Sequence, residues 1–358
     1  MTTWTADILG EDFEQRTIEL GTDPDGEGEI VATLVRHAPP EGRFPAAHSA
    51  ALYVHGYSDY FFQRHLAEAF AAAGHAFYAL DLRKCGRSQR PGLTPHFVTD
   101  LAVYDEELGA SIDIIRGELG PGPGDRIVVS AHSTGGLILP LWLDRLEQSE
   151  GGTSSRGIIG MVLNSPWFDM QGSWWLRSVG TAAIDAVGRV QPLRIAQDAK
   201  FDGYGSSLHR DRHGQWDFDT TWKPYGGYAA RFGWLRAVRR GHLQLHRGLD
   251  TGVPSLILRS DRTWFSPHYQ PEIDNVDCVL DVRQIAKWSG CVGNRVSVVP
   301  IEGARHDVFL SNEPALSEAM LELGVFLDWL AGREAPARPA MDGTAAAGGR
   351  ETSDAPVR

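Results

Sequence analysis

A chain of 358 residues, 42% hydrophobic and 22% charged, is long and apolar enough to bury a full core, as one large domain or a domain carrying an insertion. Its net charge of −12, with no run rich in Lys or Arg, argues against nucleic acid and anionic membrane surfaces as partners and for a neutral or small substrate. No stretch of about 18 apolar residues occurs, and the N-terminus lacks a basic segment followed by an apolar one, so a soluble, cytoplasmic protein is expected. Cys85, Cys278 and Cys291 are odd in number and widely spaced, which predicts reduced thiols rather than a disulfide or metal framework.

In chain order, two β-rich runs, Gln15–Leu20 and Glu29–Val35, flank the turn-rich stretch Gly21-Thr22-Asp23-Pro24-Asp25-Gly26 and predict an antiparallel hairpin at a sheet edge. A strand over Ala50–Val54 leads into His55-Gly56-Tyr57-Ser58. A helix over Phe62–Ala73, a strand over Ala76–Leu82 and a helix from Val98 to Leu119 follow. Strands alternating with helices at this spacing predict an α/β fold with a mostly parallel sheet covered on both faces. The working residues of such sheets lie at the carboxyl ends of the strands.

The stretch Ile127-Val128-Val129-Ser130-Ala131-His132-Ser133-Thr134-Gly135-Gly136-Leu137 runs from a β-branched strand through a sharp turn into a helix over Leu137–Leu146. A turn this tight holds its central residue in a strained conformation. The residues two before and two after it must then be small, as Ala131 and Gly135 are. Ser133 would project above the sheet beside a helix N-terminus, where developing negative charge is favoured.

A strand over Gly160–Pro166 precedes a long stretch without comparable strands. From Trp167 to about Asp250 it holds six of the eleven tryptophans and one helix over Arg231–Arg247. A loop this long is normally functional. It predicts an inserted cap over 167–250, between core segments 1–166 and 251–332, with Trp167, Trp174, Trp175 and Trp222 as pocket candidates. Strands over Pro254–Ser260 and Arg295–Ile301 and a helix over Pro314–Leu330 resume the alternation, and 333–358 reads as a disordered tail.

The Ala131-His132-Ser133-Thr134-Gly135 elbow, the His55-Gly56 loop, the intervening cap and a late Gly303-Ala304-Arg305-His306-Asp307 resemble the α/β-hydrolase fold. Within it the chain is similar to monoacylglycerol lipases, lysophospholipases and serine aminopeptidases. The likeness covers about residues 15–331, and Asp81-Leu82-Arg83-Lys84-Cys85-Gly86-Arg87-Ser88 resembles that family's Asp-x-x-Gly-x-Gly-x-Ser loop, with Lys84-Cys85 as a departure. The resemblance implies a serine hydrolase of small-molecule esters with apolar acyl groups, working through a Ser-His-Asp triad and an acyl-enzyme. It implies no metal or organic cofactor and no particular oligomeric state.

Serine needs a base to take its proton. His306 has the loop position and the Ser, acid, His chain order that the fold implies. His132, next to the nucleophile, is expected to point away from it and to be structural, and His55 to brace its own loop. His209/His213 and His242/His246 have metal-ligand spacing without an acidic partner motif and read as solvated residues. The oxyanion donors would be the backbone N–H groups of Tyr57 and Thr134. For the acid, Asp277 fits the family pattern of an Asp, a few apolar residues and a helix, with Asp281 and Gln284 as a capping box. Asp261, at the end of the preceding strand, is the alternative acid. Asp307 adjoins the base and would be directed away. Two other readings stay open: release of an N-terminal amino acid, with Asp198, Asp202 or Asp219 binding the ammonium, and a ligand receptor that keeps the fold without turnover.

Overall fold

The computed structural model describes residues 3–38, 47–170, 184–199 and 201–333. Trp174, Trp175 and the tail expected over 333–358, apart from residue 333, therefore lie outside the described residues. The elements in chain order are β1 (Thr5–Asp7), β2 (Gly10–Thr22), β3 (Glu29–His37), β4 (Ser49–Val54), α1 (Arg64–Ala72), β5 (His75–Asp81), α2 (Asp105–Leu119), β6 (Ile127–His132), α3 (Gly135–Glu147) and β7 (Ile158–Asn164). A helix α4 (184–190), β8 (Ile195–Gln197), α5 (Gly203–Leu208), β9 (Ala230–Arg231) and α6 (Phe232–Leu245) follow. The chain then adds β10 (Ser255–Ser260), α7 (Val282–Trp288), β11 (Val296–Ile301) and α8 (Ala315–Ala331).

Nine strands form one sheet in the order β1-β2-β3-β5-β4-β6-β7-β10-β11. The pairs from β5 through β11 are parallel, while β1, β2 and β3 add an antiparallel edge. The short strand β1 was not anticipated. The chain winds outward from β4 to β5 and then back across it to β6, so β4 and β6 flank the point where strand order reverses. Ligands bind at such a switch point. The register Val54↔Ala131 places His55-Gly56-Tyr57 and Ser133 side by side at the two carboxyl ends.

Each face carries its own core. Leu52, Val54 and Val129 pack with Leu108, Ile112 and Ile115 of α2 and with α3 and α6. Ala51, Tyr53 and Val128 pack on the other side with Leu66 and Phe70 of α1 and Leu323 and Leu327 of α8. These strands are apolar on both faces because helices cover both. The helix expected from Val98 begins only at Asp105, after a single 3-10 turn at Leu101–Tyr104 started by Asp100, whose carboxylate accepts the Ala102 N–H. Three acidic residues, Asp105, Glu106 and Glu107, then occupy the first turn of α2, where the helix dipole favours them.

The stretch between β7 and β10 is not uniformly separate from the core. Its helix α6 lies against α3, and a Cβ on Gly241 would approach Leu141 to 2.9 Å. The remainder includes the two-stranded β8–β9 pair, also not anticipated, and a small cluster in which Leu208 and Phe218 pack on Tyr60 and Phe62.

Candidate active site

β6 gives way to α3 through a turn centred on Ser133, which holds φ at +53°. That left-handed conformation strains a residue with a side chain, so its surroundings must hold it. The Ser133 N–H donates to the Asn164 carbonyl (3.0 Å), and the Ser133 carbonyl accepts from the N–H groups of Gly136 (3.0 Å) and Trp167 (2.9 Å). The small-residue requirement has a steric cause. A Cβ on Gly135 would stand 2.5 Å from the His55 carbonyl and 2.9 Å from that of Val54.

His306 Nε2 lies 3.0 Å from Ser133 Oγ, and His306 Nδ1 lies 2.9 Å from Asp277 Oδ2. All three residues are buried. The second Asp277 oxygen accepts the Val279 and Leu280 N–H groups at 2.8 and 2.7 Å. An ionised carboxylate only accepts, so the imidazole presents Nδ1–H to Asp277 and its Nε2 lone pair to the serine hydroxyl. Asp277 reaches this position because the chain departs beyond Trp264 and returns in register. The Asp277 N–H donates to the Arg262 carbonyl and the Trp264 N–H to that of Asp277, both at 3.1 Å. Asp261 is exposed and, among the described residues, its side chain accepts the Gly303 N–H (3.0 Å), away from His306. Asp281 caps α7 through the Arg283 N–H, but Gln284 Oε1 finds no partner among the described residues, so the expected box is one-sided.

The Tyr57 and Thr134 N–H groups donate to no partner among the described residues. Gly56 brings its backbone against Ser133, for a Cβ there would lie 3.0 Å from Ser133 Cβ. His55 accepts the Leu82 N–H at Nε2 (3.1 Å) and therefore donates from Nδ1 to the Gly56 carbonyl (2.7 Å), bracing the loop as expected.

His132 corrects the sequence reading. Strand alternation stops at the left-handed Ser133, so the two side chains are not sent to opposite faces. Its ring borders the same cavity, with centroid 4.8 Å from that of His306, and its Nδ1 lies 3.2 Å from Asp59 Oδ2. Asp59 Oδ1 accepts from Lys223 Nζ at 2.7 Å. Burial opposes charge on Asp59, yet the Lys223 ammonium and His132 hold its carboxyl far below the usual range. Asp307 turns away from His306, as expected, accepting from Asn164 Nδ2 (2.6 Å) and Gln63 Nε2 (3.0 Å).

The Lys84-Cys85 departure has a structural explanation. Lys84 is buried and joins Asp23 (2.6 Å) and Glu27 (2.8 Å) of the hairpin turn, while Arg83 pairs with Glu107 and Arg87 with Asp7 and Asp81. The two histidine pairs were expected to be solvated, but His209 and His242 are buried. His242 Nε2 and His246 Nε2 bond the Trp167 and Phe168 carbonyls, tying α6 to the chain leaving β7. Among the described residues no three metal-ligating side chains cluster and no helix is long and apolar enough to cross a membrane.

A cavity of about 540 Å³ opens above Ser133 and His306. Aromatic and apolar side chains dominate its walls, including Tyr57, Trp167, Met170, Tyr204, Trp234 and Phe265. Trp167 is among them. Trp222 is not, because its ring packs edge-on against Tyr60 (5.2 Å between centroids) in the small cluster beside the cavity. Trp234 takes a wall position that the sequence reading did not assign, its ring centred 3.9 Å from that of Tyr57. Of the three carboxylates considered for an ammonium, only Asp198 borders the cavity; Asp202 pairs with His268 at 3.0 Å.

The profile of the Alpha/beta hydrolase family matches residues 51–319. No curated protein sequence matches the chain. Among solved structures, a soluble variant of monoglyceride lipase from Saccharomyces cerevisiae, in complex with a substrate analog, superposes with TM-score 0.60 at 14% identity, covering 87% of this chain and 94% of its own. A thermostable carboxyl esterase from Bacillus coagulans, in complex with glycerol, gives 0.59 at 14%, over 90% and 99%. The monoacylglycerol lipase of Paleococcus ferrophilus gives 0.52 at 16%, over 84% and 99%. At these identities the likeness is one of fold.

Proposed function

The chain belongs to the Alpha/beta hydrolase family, and from that premise we propose that it hydrolyses carboxylic esters with apolar acyl groups through a serine acyl-enzyme. The observation that carries this reading is the unbroken contact from Asp277 through His306 to Ser133 beneath an aromatic cavity. Ser133 Oγ attacks the acyl carbon while His306 Nε2 takes its proton. Asp277 holds the imidazole in the required tautomer and stabilises the imidazolium. The Tyr57 and Thr134 N–H groups bind the oxyanion, each such donor being worth about 3 kcal/mol in the transition state. The imidazolium then protonates the departing alkoxide, and a water activated by His306 releases the acid and restores Ser133.

Cys278 also borders the cavity, but burial and then the Asp277 charge push its thiol far above the ordinary range, which favours Ser133 as nucleophile. On this reading the insertion over 167–250 is a cap, and its described residues Trp167, Met170, Tyr204 and Trp234 supply apolar wall. The predominance of aromatic over acidic side chains on that wall favours an acyl chain over an ammonium.

The test is a fluorophosphonate probe beside p-nitrophenyl esters of increasing chain length and a panel of aminoacyl anilides. The wild-type protein should be labelled and Ser133→Ala should not. Labelling that survives the substitution refutes the assignment, and a protein that binds ligands but is never labelled supports the receptor reading. Preference for the anilides supports the aminopeptidase reading.

A further inference from the structure

The loop that carries the Tyr57 amide is tied, residue by residue, to one segment of the insertion. Tyr57 Oη donates to the Ala229 carbonyl (3.0 Å). Ser58 Oγ accepts the Tyr228 N–H (2.8 Å), Asp59 accepts from Lys223 Nζ (2.7 Å), and Tyr60 Oη accepts the Asp219 N–H (2.7 Å). Four consecutive loop residues thus each meet residues 219–229. The approach is close. Gly227 holds φ at +71°, and a Cβ there would lie 3.1 Å from Ser58 Oγ.

The loop needs such support. Ser58 sits at φ +55°, strained for a side-chain-bearing residue, directly after the donor amide. Asp59 is a buried carboxylate whose cationic partner, Lys223, comes from the insertion rather than the core. The Tyr57 ring is clamped at both ends, by the Ala229 carbonyl at its hydroxyl and by Trp234 across its face. With its ring and the next residue both held from the same side, the peptide between Gly56 and Tyr57 loses the freedom to rotate its N–H away from Ser133.

We propose that residues 219–229 set the position of the Tyr57 oxyanion donor, with Lys223 and Ser58 as the positioning residues. This rests on the ester-hydrolase reading above. The consequence is kinetic. A donor aimed at the oxyanion acts in the transition state and not on the bound substrate, so misplacing it lowers kcat and leaves KM nearly unchanged. Misplacement by about 1 Å can cost on the order of 100-fold.

Lys223→Met removes the ammonium while keeping an unbranched side chain one atom shorter, and Ser58→Ala removes one neutral acceptor. Both should be compared with wild type in kcat and KM for p-nitrophenyl butyrate and in the rate of fluorophosphonate labelling of Ser133. Labelling also develops negative charge on an oxygen facing the same two donors. Lys223→Met is expected to lose roughly 10- to 100-fold in kcat and Ser58→Ala about 5-fold, with KM within about 3-fold and labelling slowed in parallel. Because Lys223→Met strands a buried carboxylate, thermal melting checks its fold; should it fail to fold, Ser58→Ala decides alone.

Wild-type kcat and labelling in a folded Lys223→Met, or in Ser58→Ala when that variant decides, overturn the proposal. So does a rise in KM at constant kcat, which would make Lys223 a substrate contact. A wild type that is labelled but does not hydrolyse esters removes the ester reading alone, since the labelling rates of the variants still test the positioning role. A wild type that takes no label overturns both.

Discussion

Replacing Asp277 by Asn changes one atom and should nearly abolish turnover. The Asn carbonyl can keep the place of Oδ1, which accepts the Val279 and Leu280 N–H groups at 2.8 and 2.7 Å. The amide nitrogen then faces His306 Nδ1 at the 2.9 Å now spanned by a carboxylate. Two donors cannot share that contact, so the ring moves its proton to Nε2 and meets Ser133 Oγ with an N–H instead of a lone pair. The loss of the tautomer and of the imidazolium's counter-charge is worth about 10⁴ in kcat, or about 5.5 kcal/mol. The backbone contacts survive, so the melting temperature should move little. Asp261→Asn is the control. Its carboxylate is exposed and, among the described residues, accepts the Gly303 N–H, which the Asn carbonyl can still accept. Steady-state hydrolysis of p-nitrophenyl butyrate, beside thermal melts, reads both variants. Asp277→Asn retaining a tenth of wild-type kcat, or Asp261→Asn losing more than tenfold, would refute the assignment of the acid.

Acyl esters from acetate upward should gain roughly fourfold in kcat/KM per methylene, from about 0.8 kcal/mol each, until the 540 Å³ cavity fills; a flat series would deny the acyl chain that site. Gly135→Ala should yield little folded protein on purification or a melting temperature lower by several degrees, because its Cβ would press on two backbone carbonyls that cannot swing aside. Stability should fall in acid. Burial and then the His48 charge lower His75 from 6.5 to about 4, and burial and then Arg239 lower His242 to about 3. The unfolded chain binds these protons near pH 6.5 and the folded one refuses them. The contribution is therefore complete above that pH and declines below it, by about 3 kcal/mol for His75 on reaching pH 4. Denaturant titrations at pH 7, 5.5 and 4.5 should show the fall, and His75→Gln should flatten it; an equal slope in the variant would remove His75 as a cause.

Much of the fold was legible because its signals are local. The β-branched run before Ser133, the small residues at 131 and 135, and the helical spacing after them carry the elbow within one short stretch. His306 was marked by chain order and by its place after the last strand. The choice of Asp277 over Asp261 was only a preference, since nothing local distinguishes an Asp at a strand's end from one that returns to that place after an excursion. The bonds of Arg262, Thr263 and Trp264 to Asp277, Leu280 and Val282 bring the returning chain into register.

The features that the sequence could not reveal depend on pairing across long separations. Lys84 reads as an interruption of a glycine-rich loop until Asp23 and Glu27 are found beside it. His132 reads as a residue facing away because strand periodicity is assumed to continue through a turn that ends it. Trp222 and Trp234 are equally aromatic in the sequence. One packs on Tyr60 and the other faces the cavity because β9 and α6 deliver Trp234 to Tyr57, and no periodicity encodes that meeting. Strand, helix and turn follow from short-range sterics and spacing, which a linear reading captures. Which charge is compensated, and which wall a ring joins, is decided by the chain's return from a distance.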